Sequence, residues 1–596
     1  MEAKLPMQVS VTPPPARLRW TLASVLLAAG AALADEVDVR LEGLDGALED
    51  NARAVLSIAA ADREDRDLAP ARIQALHEEA PDQIRRALEP FGHYRPAIES
   101  ALEHEDTKWT ATYRVTPGPQ VHVRQVDVEV TGPGAEDPGF ARRVREFPLQ
   151  RGDPLVHARY EEGKAAFPAY ASAHGYLDGR FERAEVQVDP EAGTADIVLH
   201  YASGPRFRYG EVRFRQEREA VDPAVLRDFV TFAPGEPIDL TELRALQGTL
   251  GQTPWFSRVE VRAEREQASG LQVPVEVDLV PAKPRFWRVA AGYGTDTGAR
   301  LSVGLDVRRI GHEGHRAETD VLASQIERSA AVRYLVPGRN AATDVWTGTT
   351  GYREVDSDVT ESRTALLGAA LTRRQGRWNQ TLGLRWQRED FVVGVDSGVS
   401  SLLFPEIGWT RIDTDDPIYP LHGRRLELRL MGADDAVLSD ASFLQAAAQV
   451  RLVRSLGADL RVHGRLDVGS TATSDFHDLP ATFRFFAGGD RSVRGYAYQA
   501  LSPLDAQGTP IGGEVLLTTN LEVDWLPIER WGRWGIAAFH DWGNAAASFG
   551  SLDLERGVGT GLRWVSPVGM VRADVAWALD EPGRPTRFHF SIGPDL

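Results

Sequence analysis

The chain has 596 residues, more than one hydrophobic core accommodates, so several domains are expected. Its formal charge of −19, from 86 acidic and 67 basic side chains, argues against a nucleic-acid binder. It has no cysteine, which excludes disulfides and thiolate metal centres and suits an oxidising compartment.

Arg17 and Arg19 precede a short apolar run, Trp20 to Gly30, and Ala32-Leu33-Ala34 reads as a small-x-small cleavage site. The run is too short to cross a hydrocarbon layer about 30 Å thick, so 1–34 is predicted to be a secretory signal peptide. Met7 offers a second start.

From Glu36 to Lys283 one unit repeats. Its junctions are Pro117-Gly118-Pro119, Gly204-Pro205 and Lys283-Pro284, and a strand-like run follows each: Val121 to Val130, Arg206 to Phe214, Phe286 to Tyr293. Periodicity on this scale outranks local propensity. Within a unit the order is strand, helix, helix, strand, strand. In the second, Val126, Val128 and Val130 alternate with polar residues, Asp137-Pro138 opens a helix through Phe147, and a second helix runs from His157 to His174. The third has helices over Asp222–Phe232 and Asp239–Leu250, and the first over Gly46–Ala59 and Ala69–Leu88. This pattern resembles the polypeptide-transport-associated (POTRA) domain, with copies at 35–119, 120–204 and 205–284. Such a unit with a free edge strand can accept an extended peptide by strand addition.

From Arg285 the texture changes. Sixteen runs of about ten residues alternate apolar with polar side chains, the pattern of an outer-membrane barrel of tilted antiparallel strands over 285–596. Val515, Leu517, Leu521, Val523 and Trp525 share one face of a strand, while Glu514, Thr518, Asn520, Glu522 and Asp524 share the other, predicting lipid outside and a polar lumen inside. Trp378, Trp409, Trp525 and Trp564 lie near strand ends, as interfacial girdles require. The fold class is therefore α+β repeats followed by an all-β transmembrane barrel of 16 antiparallel strands.

The longest connection, about Ser470 to Gly512, exceeds a hairpin turn. It carries Val493-Arg494-Gly495-Tyr496, whose guanidinium needs water or a carboxylate to hold it. Three repeats, a sixteen-strand barrel and this VRGY loop are similar to the bacterial BamA/TamA outer-membrane assembly-factor superfamily, and within it to the TamA type. Gly292-Tyr293-Gly294-Thr295-Asp296, Pro417 to Gly423, Phe539-His540-Asp541-Trp542-Gly543 (the FxDxG element) and the C-terminal stretch from Phe588 to Leu596 carry the same resemblance.

That resemblance implies that Arg494 folds into the lumen and meets Asp541 and Glu522, with Phe539 and Gly543 completing the FxDxG element; Asp541 is expected at a strand end, and alternation points His540 to lipid or the girdle. It also implies a lateral seam between the first strand, with Gly292, Tyr293 and Gly294, and the last, with Phe588, Phe590 and Ile592 toward lipid. The implied partners are nascent outer-membrane and autotransporter proteins, outer-membrane lipid and a TamB-like inner-membrane-anchored protein. The implied function is a non-enzymatic insertase without metal or cofactor; no HExxH or GxSxG occurs. The alternatives are a polypeptide exporter of the two-partner secretion type and a lipid-transfer partner of a periplasm-spanning bridge.

Overall fold

A computed structural model describes residues 36–64, 69–105, 108–417, 419–527, 532–566 and 569–593. The signal-peptide reading over 1–34, Ile418 and Pro594-Asp595-Leu596 lie outside these residues. The chain divides into two compact units, one ending at Pro205 and one comprising Ala173–Gly175 and Arg206 onward.

The first unit holds two three-stranded sheets. The first repeat runs β1 (Glu36–Glu42), α1 (Gly46–Val55), α2 (Ser57–Glu64), α3 (Pro70–Leu88), β2 (Ala97–Glu105) and β3 (Lys108–Thr116). β3 is central, parallel to β1 and antiparallel to β2. Its alternate residues Trp109, Ala111, Tyr113 and Val115 pack with Ile73, Leu76, Ala80 and Ile84, which share one face of α3. The helix expected over Gly46–Ala59 is broken in two. Leu56 is extended (ψ 108°) and fully buried, and Gln83 Oε1 accepts the Ser57 amide at 2.9 Å in place of a helical partner.

The second repeat runs β4 (His122–Thr131), α4 (Pro138–Arg145), α5 (His157–Ala173), β5 (Arg180–Asp189) and β6 (Thr194–Ala202), in sheet order β4-β6-β5. Asp137 caps α4 by accepting the Gly139 amide at 2.8 Å. The helix stops short of Phe147, whose ring turns into the core.

In the second unit the third repeat runs β7 (Arg208–Gln216), α6 (Pro223–Arg227), α7 (Leu240–Gly251), β8 (Phe256–Ala263) and β9 (Gln272–Pro281), in order β7-β9-β8. α6 is one turn long, against the expected Asp222–Phe232. Beyond it Phe229 and Phe232 bury, and Asp228 accepts the Ala341 amide of the barrel at 2.8 Å. Trp255 Nε1 donates to the Gly314 carbonyl at 3.2 Å, a second tie between this repeat and the barrel.

Sixteen strands follow: β10 (Arg285–Gly294), β11 (Gly298–Ile310), β12 (His315–Ala323), β13 (Glu327–Pro337), β14 (Asp344–Asp356), β15 (Thr360–Gln375), β16 (Trp378–Val393) and β17 (Asp396–Thr414), then β18 (His422–Ala433), β19 (Phe443–Leu456), β20 (Leu460–Thr473), β21 (Val515–Trp525), β22 (Trp534–Ala546), β23 (Glu555–Ser566), β24 (Gly569–Ala578) and β25 (Thr586–Gly593). Each pairs with the next in one sheet, and every pairing is antiparallel. Burial is inverted relative to a water-soluble domain. Leu382, Leu384, Leu428, Leu430, Leu521 and Leu562 are exposed, whereas Glu389, Asp467, Glu522, Asp524, Asp541 and Asp574 are buried. That inversion follows from strand alternation around a closed, lipid-facing wall.

β22 continues past the expected end at Asp541 to Ala546, because its ladder with β21 runs on to Val515. Asp541 is therefore mid-strand, and its side chain is set by the alternation of the wall instead of by a rim. Among the described residues β25 and β10 share no ladder, although every other neighbouring pair does. They meet through the Tyr293 and Phe590 rings, 6.4 Å apart, and Arg300 of β11 reaches past β10, its Nη2 donating to the Ile592 carbonyl of β25 at 3.4 Å.

Candidate functional site: the lumen clamp and the seam

The segment between β20 and β21 turns back onto the barrel wall. Gly488 and Gly489 take φ of 99° and 102°, and Gly495 takes 98°, all in the left-handed region where a side chain is strained. Space forbids a side chain there as well: a Cβ on Gly495 would stand 2.7 Å from the Ala578 amide nitrogen. On the facing wall, a Cβ on Gly557 would collide with the Arg494 carbonyl oxygen. The loop and wall are thus in backbone contact, and this contact delivers Arg494 to its partners.

Arg494 is 6 % exposed and Asp541 is fully buried. Asp541 Oδ2 accepts from the Arg494 amide at 3.0 Å and from Nε at 2.8 Å, while Oδ1 accepts from Nη2 at 3.0 Å. Nη1 donates to Glu522 Oε2 at 2.7 Å and to Asp574 Oδ2 at 3.0 Å. The Phe539 ring lies under the guanidinium, with Cζ 3.3 Å from the ring centroid. Planar, bidentate and stacked recognition of this kind suits arginine and not lysine.

A second guanidinium completes the clamp. Arg563 of β23 is fully buried, donates to Glu522 Oε1 from Nη2 at 2.7 Å and pairs with Asp574 Oδ1. Glu522 and Asp574 therefore each bridge both arginines, one oxygen to each. Arg563 Nε also faces Asp524 Oδ1 at 3.3 Å, and Asp524 Oδ2 takes Arg461 and His463 at 2.9 Å each. Desolvation penalises each of these charges heavily, and only their mutual pairing offsets it.

The rest of the motif is anchored too. Val493 and Tyr496 bury against Ala578, and the Tyr496 hydroxyl donates to Glu555 Oε2 at 2.9 Å. The Gly495 amide donates to His589 Nε2 at 3.2 Å, tying the loop to the last strand. Gly543 lies on the ladder with Thr518, where a Cβ would stand 2.7 Å from the Leu517 carbonyl oxygen. His540 stands on the opposite face of β22 from Asp541, its ring 3.7 Å from that of Trp542.

At the seam, Gly292 pairs with Arg300, and a Cβ on it would stand 2.9 Å from Arg300 Nε. The missing side chain lets Arg300 lie across β10 to reach β25. Gly294 packs near Asp490 and the Phe590 carbonyl. Phe588 is exposed, and Phe590 and Ile592 are half-buried on the same face.

Sequence reasoning missed three partners. Asp574 and Arg563 were legible as charges alternating with apolar residues in Val571–Val575 and Leu562–Trp564. Arg484 was not: its guanidinium is fully buried, donating from Nη1 to Asp396 Oδ2 at 2.7 Å and from Nε to the Leu479 carbonyl at 2.9 Å. It anchors the other end of the loop.

The Omp85 superfamily domain matches residues 297–595, and the POTRA domain described as TamA domain 1 matches 38–117. The outer membrane protein assembly factor BamA of Nitratidesulfovibrio vulgaris is 24 % identical over 453 residues, covering 71 % of this chain and 56 % of its own length. That of Neisseria meningitidis is 21 % identical over 484 residues, covering 69 % and 60 %. The chain thus spans under two thirds of these relatives. The crystal structure of Haemophilus ducreyi BamA lacking POTRA domains 1–3 superposes with a TM-score of 0.65 at 15 % identity, over 79 % of this chain and 99 % of that one. The polar-lined, sixteen-stranded barrel, the POTRA repeats before it and the matched domains place the barrel in the outer membrane and the repeats in the periplasm: the chain belongs to the Omp85 superfamily.

Proposed function

We propose that the protein is a non-enzymatic assembly factor that inserts β-barrel and autotransporter-type proteins into the outer membrane at the β10/β25 seam. The carrying observation is that seam. Among the described residues fifteen neighbouring strand pairs are laddered, whereas β10 and β25 share no ladder: their Tyr293 and Phe590 rings meet, and one long hydrogen bond reaches β25 from Arg300 of β11. Separating them costs few protein hydrogen bonds and exposes two strand edges, each a template for an incoming strand. The BamA relatives, which are outer membrane protein assembly factors, and the Omp85 match support the same reading. The loop clamped by Arg494 and Arg484 occupies the lumen, which favours a lateral route over threading a polypeptide through the pore.

The test is a Gly294→Cys/Ser591→Cys disulfide, placed on the lumen side of both edge strands. Oxidised protein should lose assembly of substrate barrels in reconstituted membranes and recover it on reduction. Full activity in completely locked protein defeats the lateral route.

The partner in this reading is a TamB-like inner-membrane-anchored protein, supported by the TamA-type first repeat. A periplasm-spanning, β-rich protein should co-purify with the full chain and be lost when residues 36–117 are removed. Retention without that repeat rejects its role in docking.

A further inference from the structure

Beside the clamp, three arginines lie side by side on adjacent strands. Arg425 of β18 is directly opposite Arg451 of β19, which is directly opposite Arg465 of β20. Like charges in directly opposed positions destabilise a sheet. Arg425 is offset by Glu427 at 3.1 Å and Arg465 by Asp467 at 2.6 Å. Arg451, between them, has no carboxylate partner among the described residues, and its Nε is buried without a hydrogen-bond acceptor, as is that of Arg425. A buried guanidinium donor left unpaired between two like charges needs a physical reason.

The surroundings supply one. Arg451 opens on a cavity of about 400 Å³, also lined by Arg300, Arg465, Arg491 and Arg572. This lies in the range of about 300–1,000 Å³ typical of small-molecule sites. Arg491 is held over the row by its own carbonyl, which accepts from Arg465 Nη1, and its guanidinium has no carboxylate partner among the described residues. Arg300 spends one Nη2 bond on a backbone carbonyl. The cavity's acids are largely committed elsewhere: Glu522 and Asp574 bridge Arg494 and Arg563. Burial and the neighbouring Asp296 carboxylate push the third, Asp490, above its ordinary range.

We infer that Arg451 and Arg465, with Arg300 and Arg491, bind an anion of the phosphate class inside the barrel. A phosphomonoester or phosphodiester presents several acceptor oxygens together with negative charge to guanidinium donors on different strands, and charge-assisted bonds of this kind are stronger than those a neutral ligand makes. Arg300, Ser591 and Ile592 line the same cavity, so the site borders the seam. A lipid headgroup and a soluble phosphate share this chemistry.

The experiment uses the full chain in a non-ionic, phosphate-free detergent. Thermal unfolding is followed by tryptophan fluorescence in inorganic phosphate and in sodium chloride at matched ionic strength. Wild type should show saturable stabilisation by phosphate alone. In Arg451→Gln and Arg491→Gln the half-saturating concentration should rise about tenfold or more, the loss of one charge-assisted contact. Arg451→Gln removes one of three stacked like charges, so without phosphate it should be at least as stable as wild type, separating lost binding from misfolding. Arg377→Gln, in an exposed turn, should respond as wild type does.

Native mass spectrometry from phosphatidylglycerol nanodiscs identifies the source. Lipid retained by wild type, lost in Arg451→Gln and displaced by inorganic phosphate assigns the headgroup; a phosphate response without retained lipid assigns a soluble ligand. Equal wild-type responses to phosphate and chloride without retained lipid, or an unchanged phosphate response in both variants, overturns the site.

Discussion

Arg494 and Asp541 are joined by three hydrogen bonds, one from the arginine's own backbone amide and two from its side chain. The carboxylate therefore positions both the chain and the charge of the loop. Because Asp541 is fully buried and accepts Asn520 Nδ2 as well, it is left without solvent to fall back on when the arginine is removed.

Arg494→Ala is expected to destabilise the barrel by roughly 3–5 kcal/mol, the usual penalty for stranding one side of a buried ion pair. Urea unfolding in detergent, with heat-modifiability on gels as a second readout, measures it. Arg494→Ala combined with Asp541→Ala should cost less than the sum of the two single changes, since neither charge is then stranded. Strict additivity would mean that the pair does not interact.

Gly557→Ala tests the backbone contact separately from the charges. Its methyl meets the Arg494 carbonyl oxygen, so the loop must lift while every ionic group stays in the sequence. Faster trypsin cleavage at Arg491 and a larger ion conductance in planar bilayers are expected. Unchanged values for both would show that the wall yields instead of the loop.

Gly292→Val places a branched side chain in the path Arg300 takes to the Ile592 carbonyl. Cysteine pairs across β10 and β25 should then form disulfides more slowly, because the edges separate more often. Arg300→Gln should act in the same direction. A crosslinking rate equal to wild type in both variants would remove Arg300 from the seam.

Asp490 brings a pH dependence. The Asp490 amide donates to Asp296 Oδ2 at 2.5 Å, and burial followed by the Asp296 charge raises the Asp490 carboxyl above its ordinary 3.8. A raised carboxyl pKa means that the folded protein binds the proton more tightly than the unfolded chain. The resulting stabilisation is fully present below pH about 4 and is lost as pH rises through the raised value. Asp490→Asn should therefore gain stability relative to wild type at pH 7 and show little gain at pH 4. Denaturant midpoints at the two pH values decide it; a gain of equal size at both would assign the effect to something other than titration.

Much of the architecture was legible in the chain because strand alternation is a local property. The period of two in Leu521, Val523 and Trp525 against Glu522 and Asp524 sorts lipid from lumen without knowledge of any neighbour. The same period, extended, reaches the charges of Asp574 and Arg563. Helix ends were less legible: the break at Leu56 depends on Gln83, 27 residues away, and α6 ends where Phe229 and Phe232 find a core to enter.

By itself, then, the sequence determined the repeat order, the sixteen-fold alternation and the candidate partners of Arg494, since each rests on spacing along one strand or on a recognisable motif. Only the tertiary structure decided the rest. Strand register placed Arg425, Arg451 and Arg465 in one row and made Asp541 a mid-strand residue, while barrel closure brought Arg300 to Ile592 across 292 positions. Register and closure are set by pairing between distant segments, and a linear pattern fixes which face a side chain takes but not which side chain it will meet.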